Sequence, residues 1–135
     1  MTLAASLTSV NLVAVLVAGL AHMATGLVWY QPWFFGRVWA QLTGAELKPA
    51  IRWLPAGVLG HLMIALVLAV VVRLAAATTV LGGLVAGLLM WAGFIVTLEV
   101  GELIWERIPF NLFLIRSGNH LVALTLAGII LAVWR

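Results

Sequence analysis

The stretch that decides the fold is TVLGGLVAGLLMWAGFIVTLEVGELIWE, residues 79–106. It carries no ionisable side chain as far as Leu98, and then Glu99, Glu102 and Glu106 follow in quick succession. About 20 apolar residues are enough for a helix to cross the hydrocarbon core of a bilayer, at about 1.5 Å per residue. The span is read over 79–100, and the stretches 11–30, 55–74 and 120–134 have the same character. In a chain of 135 residues with 65% hydrophobic content and a mean hydropathy of +1.22, little is left for a soluble domain. The reading is all-α: an integral membrane four-transmembrane-helix bundle, one domain over residues 1–135.

Composition excludes several classes. The formal charge is +3 and the pI about 10.7, but the seven basic residues are scattered and form no run. They mark helix ends at the headgroups and give no nucleic-acid surface. Without cysteine there is no disulfide, thiol chemistry or Cys-based metal site. There is no aspartate, no nucleophile–base pair and no phosphate-cradling loop, which argues against an ordinary hydrolase or kinase. No cofactor is implied. The start, MTLAASLTSV, lacks a basic n-region, so the first apolar segment reads as a retained helix.

The link QPWFFGRVWAQLTGAELKP (31–49) is the most polar part of the chain, yet Trp33, Phe34, Phe35 and Trp39 make it an interfacial segment along the membrane. Trp29, Tyr30, Trp33, Trp39, Trp53 and Trp105 are expected anchors at headgroup level. Pro55 suits the first turn of helix two, where a missing N–H costs nothing. Residues 107–118 join helices three and four, with Pro109 opening either an in-plane helix or an early extension of helix four. Arg37, Lys48, Arg52, Arg107 and Arg116 fall on the side of these two links, against Arg73 and Arg135 opposite. That bias places the links in the cytoplasm and both termini outside.

At about 100° per residue, Glu99, Glu102 and Glu106 fall near 0°, −60° and −20°, one stripe of helix three. Two readings stand: an interfacial acidic cap paired with Arg107, Arg52 or Arg116, or a proton- or cation-binding cluster, to which His120 and Asn119 would add. Counted from Thr79, Glu99 lies near the far boundary of the span. Helix one has its own polar stripe of Asn11, His22, Thr25 and Trp29 around Ala18, suited to close packing with hydrogen bonds across it. His22 reads as bonded to a neighbouring helix, distant in depth from the glutamates; His61 follows Gly57 and Gly60. The paired Glu-x-x-His motif of di-iron bundles is absent, so no metal is assigned. Gly83 and Gly87 form G-x-x-x-G, which lets two helices approach closely, within the chain or between subunits.

The run NLVAVLVAGLAHMATGLVWYQPWFFGRVWAQLTG (11–44), with Asn11, Gly26, Trp29–Tyr30, Phe35–Gly36 and Trp39, resembles a family of small bacterial and fungal membrane proteins catalogued as a domain of unknown function. A second match is PFNLFLIRSGNHLVALTLAGIIL (109–131), with its Pro, L-F-L-I run, Gly118 and His120; the chain departs at Arg116 and Asn119, where the family has Asn and Tyr. The resemblance implies a four-helix protein of the bacterial cytoplasmic membrane and no activity. Three functions follow from the residues. The nominal one is a small homo-oligomeric transporter or channel using the intramembrane Glu and His residues. The others are an accessory or assembly subunit of a larger membrane complex, and a membrane enzyme acting on a lipid or quinone. The partners expected are the lipid bilayer and either a second copy or another membrane subunit, with no nucleic acid.

Overall fold

The computed structural model describes every residue except Met1, Pro49 and Arg135, and only the backbone of Leu3. A short α1 (Leu3–Thr8) precedes α2 (Leu12–Trp29), and α3 (Gly36–Thr43) fills the aromatic link. A 3-10 turn at Ile51–Trp53 leads into α4 (Leu54–Leu74). The third span starts as α5 (Val80–Met90), passes through π turns at Trp91–Val96 and α6 (Thr97–Gly101), and ends in π turns at Glu102–Glu106. The last span is α7 (Phe110–Val133). Among the described residues four helices are long and apolar enough to cross a membrane: Leu12–Trp29, Ile51–Leu74, Val80–Glu106 and Phe110–Val133.

Local chemistry explains the ends. Asn11 caps α2, its side-chain oxygen accepting from the N–H groups of Val13 and Ala14 at 3.0 and 3.1 Å. Its polar group therefore serves the helix start rather than a neighbouring helix. Thr79 caps α5 by accepting from Gly82 N–H at 3.0 Å. Pro55 sits in the first turn of α4 as expected. Pro109, extended at φ −60° and ψ 141°, is the cap of α7, so residues 110–119 are an extension of helix four and not an in-plane helix. This places Arg116 inside a span, and the basic residues left at the aromatic links are Arg37, Lys48, Arg52 and Arg107. Arg135 lies outside the described residues. The segment after Trp29 turns on Gly36, where a Cβ would collide with the Tyr30 carbonyl oxygen.

Helices in lipid gain nothing from burying apolar surface against each other, so they associate through close packing and hydrogen bonds. The buried core is accordingly built of small residues, Ala14, Ala18, Ala65, Ala69, Ala127 and Ala132, around Leu68 and Val72. Large apolar side chains such as Leu81, Leu89 and Leu98 point outward. The G-x-x-x-G of α5 packs inside the chain, against α7: a Cβ on Gly83 would strike the Gly128 carbonyl oxygen, and one on Gly87 that of Leu124.

Candidate functional site

The spans bring their polar side chains to one end of the bundle. His22 lies about two turns before the end of α2, His61 about two turns after the start of α4, and Glu99 about two turns before Glu106. All are therefore about 10 Å below the aromatic face. His120 is about a turn deeper, on α7. Counting depth from Thr79 put Glu99 at the far boundary; the third span in fact runs on to Glu106, which draws Glu99 inward.

Three imidazoles meet at the centre. The Nδ1 atoms of His22 and His61 stand 2.8 Å apart, so one ring donates its N–H and the other accepts. The two ring centroids are 4.9 Å apart, and His120 lies 6.3 Å from His22. Gly19 makes the approach possible: a Cβ there would lie 2.8 Å from Leu62 Cδ2 and 3.3 Å from the His61 carbonyl oxygen. His22 is 2% exposed, and its Nε2 has no hydrogen-bond partner. The reading of His22 as bonded to a neighbouring helix thus finds its partner in His61.

A second polar group lies nearer the interface. Arg116 Nη1 donates to Glu102 Oε2 at 2.6 Å, both side chains about one-third exposed (33% and 34%). Glu99 is buried, with Glu102, Arg116 and Ser117 as electrostatic neighbours, while Glu106 is exposed. The common stripe thus splits three ways: Glu99 is buried, Glu102 meets Arg116, and Glu106 stands exposed at the end of the span. Two indoles pin α7 here: Trp29 Nε1–H donates to the Ile115 carbonyl at 2.9 Å, and Trp91 Nε1–H to that of Ser117 at 2.8 Å. Trp29, expected as an anchor, is thus an interhelical clamp. Trp33, Trp53 and Trp105 are exposed, and Trp39 stands 5.3 Å from Tyr30. Burial raises the Tyr30 phenol above its ordinary pKa, against the pull of Arg116 and with the push of Glu99. Thr25 bonds to its own helix, donating to the Ala21 carbonyl at 2.9 Å.

Two cavities flank the imidazoles. A vestibule of about 520 Å³ is lined by Tyr30, Gln31, Glu46, Lys48, His61 and Asn119, among others. An apolar cavity of about 250 Å³ is lined by His22, His120, Met63, Val67, Met90 and Phe94, with further aliphatic side chains. The His22–His61 contact therefore joins the two. Asn119 Oδ1 and Glu99 Oε2 are also buried without a partner. Among the described residues no group of three or more His, Cys, Asp or Glu could hold a metal ion. Two imidazole nitrogens bound to one tetrahedral zinc at about 2.0–2.1 Å would stand roughly 3.3 Å apart, wider than the 2.8 Å found.

Residues 13–132 match the family described as "Protein of unknown function (DUF1761)". The chain belongs to this family. The match takes in the four spans except Leu12 and Val133 at their outer ends, together with the aromatic link and the histidine and glutamate groups, and leaves Asn11 ahead of it. No curated protein and no solved structure matches the chain. The family carries no stated activity, so function has to be argued from the site. Gly19, Trp91 and Ser117 were not singled out from sequence, and His61 was noticed without being placed in a site. Its distance from Leu54, equal to that of His22 from Trp29, was the available signal.

Proposed function

We propose that this protein passes protons between water at the aromatic end of the bundle and a cavity inside the membrane, through His61 and His22. The observation that carries the reading is the 2.8 Å contact between their Nδ1 atoms, with His61 on the vestibule and His22 on the apolar cavity. A neutral imidazole has one donor and one acceptor nitrogen. A proton taken up at His61 Nε2 makes that ring cationic. The proton on its Nδ1 then crosses to His22 Nδ1, and the proton on His22 Nε2 passes to a base held on the cavity side, which takes up the charge. Each ring finishes as its other tautomer, and neither keeps a charge, which at this depth would cost a few kcal/mol. Tyr30 and Asn119 offer hydrogen-bonding groups to water in the vestibule.

This reading narrows transport to exchange on one side of the membrane. Residues 12–20, 62–72, 80–98 and 121–133 contain no ionisable side chain, so the far part of the bundle offers nothing for an ion to follow. The basic residues Arg37, Lys48, Arg52 and Arg107 at the aromatic links support the reading of that side as the cytoplasmic one. The relay is complete in one copy, so a second subunit is not required for it.

The test is the exchange of the His22 ring proton with water, followed by nitrogen-15 NMR of histidine-labelled protein in lipid nanodiscs. Exchange is expected to be fast in the parent protein and at least tenfold slower in His61→Phe. Equal rates in the two would end the reading.

A further inference from the structure

We infer that the rim of the vestibule binds the zwitterionic head of an ammonium-bearing phospholipid, with the ammonium in the corner of Tyr30 and Trp39, balanced by Glu46, and the phosphate on Lys48. The site lies above the histidines and does not depend on the proton relay.

The vestibule is layered. Tyr30 follows the end of α2 and Leu54 starts α4, so both stand at the aromatic face, with Trp39 of α3 and the link residues Glu46 and Lys48. His61 lies about two turns into α4, about 10 Å lower. The charges are therefore gathered at headgroup level, where tryptophan and tyrosine also settle. Beneath the rim the walls are apolar, Gly26 and Leu27 of α2 facing Gly57 and Val58 of α4. Leu27 and Leu54 are 51% and 47% exposed, so these walls run out into the lipid-facing surface, and a head bound at the rim keeps its acyl chains in the bilayer. The volume of about 520 Å³ falls within the ~300–1,000 Å³ of ligand pockets.

The rim excludes simpler occupants. Among the described residues neither Glu46 nor Lys48 has an ion-pair partner. An anion drawn to Lys48 meets the charge of Glu46, a cation drawn to Glu46 meets that of Lys48, and a neutral molecule answers neither. A zwitterion with its two charges a few ångströms apart answers both. The aromatic pair selects the kind of cation. The Tyr30 and Trp39 ring centroids are 5.3 Å apart and the rings are tilted by 59°. A cation is drawn to an aromatic face within about 6 Å of its centroid, and the tilt leaves a hollow within that reach of both rings. An alkylammonium, which brings carbon as well as charge, suits such a hollow better than a strongly hydrated metal ion. The lysine ammonium, a compact charge with three donors, meets phosphate oxygens without imposing one plane. The floor, with His61 and Asn119, is left to water.

The test is native mass spectrometry of the full chain released from nanodiscs of phosphatidylethanolamine, phosphatidylcholine and phosphatidylglycerol in equal parts, counting the lipids retained. One ammonium lipid per chain is expected, held at least fivefold over phosphatidylglycerol; the head held more tells ethanolamine from choline. Glu46→Gln, on the exposed link, and Trp39→Leu should each remove most of that preference, because each takes away a partner of the ammonium. Lys48→Gln should weaken retention of all three lipids at least fivefold and leave the preference, because all three carry phosphate. His61→Phe should change nothing; loss of the preference there would place the head at the floor and overturn the inference. Glycerophosphoethanolamine and glycerophosphocholine, the same heads without chains, should fail to displace the lipid at matched concentration. Displacement would make the ligand a soluble zwitterion and overturn the lipid assignment. Phosphatidylglycerol held as well as the ammonium lipids, or a preference unchanged in both Glu46→Gln and Trp39→Leu, would also overturn it. Selective retention with slow His22 exchange ends the relay and keeps this site.

Discussion

Replacing Gly83 or Gly87 with alanine should loosen the seam between α5 and α7. At Gly83 the new Cβ would fall on the Gly128 carbonyl oxygen and 2.7 Å from Ile129 Cα; at Gly87, on the Leu124 carbonyl oxygen and 2.7 Å from Thr125 Cα. Ordinary contact begins near 3.4 Å, so 3.4 − 2.7 leaves about 0.7 Å by which backbone must give way, and backbone cannot swing aside as a side chain does. A radial gap of 0.5–1 Å forfeits about a quarter to a half of each dispersion well it opens, and overpacking of this kind costs about 1–3 kcal/mol. The two substitutions share one seam, so the double variant should cost less than the sum. Gly60→Ala is the control, because nothing lies within 4 Å of its would-be Cβ. Helix propensity then acts alone and favours alanine by up to about 1 kcal/mol. Reversible unfolding in mixed micelles, followed by far-ultraviolet circular dichroism against the mole fraction of denaturing detergent, measures all four variants. If Gly83→Ala and Gly60→Ala agree within about 0.5 kcal/mol, the seam is not as close as described.

Arg116→Met alone should destabilise by about 1–2 kcal/mol. This is below the ~3–5 kcal/mol of a fully buried broken pair because both partners are about one-third exposed. The double variant with Glu102→Gln should recover most of the loss in the same unfolding assay; failure to recover would mean that Arg116 matters through some other contact. Tyr30 is the single tyrosine, so phenolate absorbance reports on it alone. Its midpoint should lie above the usual tyrosine value because burial favours the neutral phenol. With the folded value raised above the unfolded one, the stabilisation is present below the unfolded value and is lost as pH climbs through the folded one; unfolding followed at increasing alkalinity should show the bundle weakening there.

The four spans were legible in the sequence because about 20 uninterrupted apolar residues leave a helix few alternatives to crossing the bilayer. The turn at Gly36 and the place of Pro55 followed from chemistry confined to a few neighbouring residues, whereas Asn11, read into a packing stripe, caps its own helix. What misled was phase and depth. Periodicity puts Glu99, Glu102 and Glu106 on one stripe, yet they meet buried, paired and exposed settings, because each lies nearer the end of the span than the one before. Arg116 read as a link residue because a charge normally ends a span, whereas Glu102 carries it within one. The meeting of His22 and His61 depends on Gly19 admitting α4, a relation between positions far apart in the chain that no local pattern records.

The one-sided placing of the polar groups also makes the site an electrical instrument. The histidines lie about 10 Å into a hydrocarbon layer of about 30 Å, with insulating side chains alone on the far side. A full elementary charge carried across a membrane gains about 2.3 kcal/mol per 100 mV. If the field falls evenly, a proton moved from the aromatic face to His61 crosses about a third of it, or about 0.8 kcal/mol per 100 mV. That is a three- to fourfold change in occupancy for each 100 mV, so on the relay reading the charge state of His61 tracks membrane voltage.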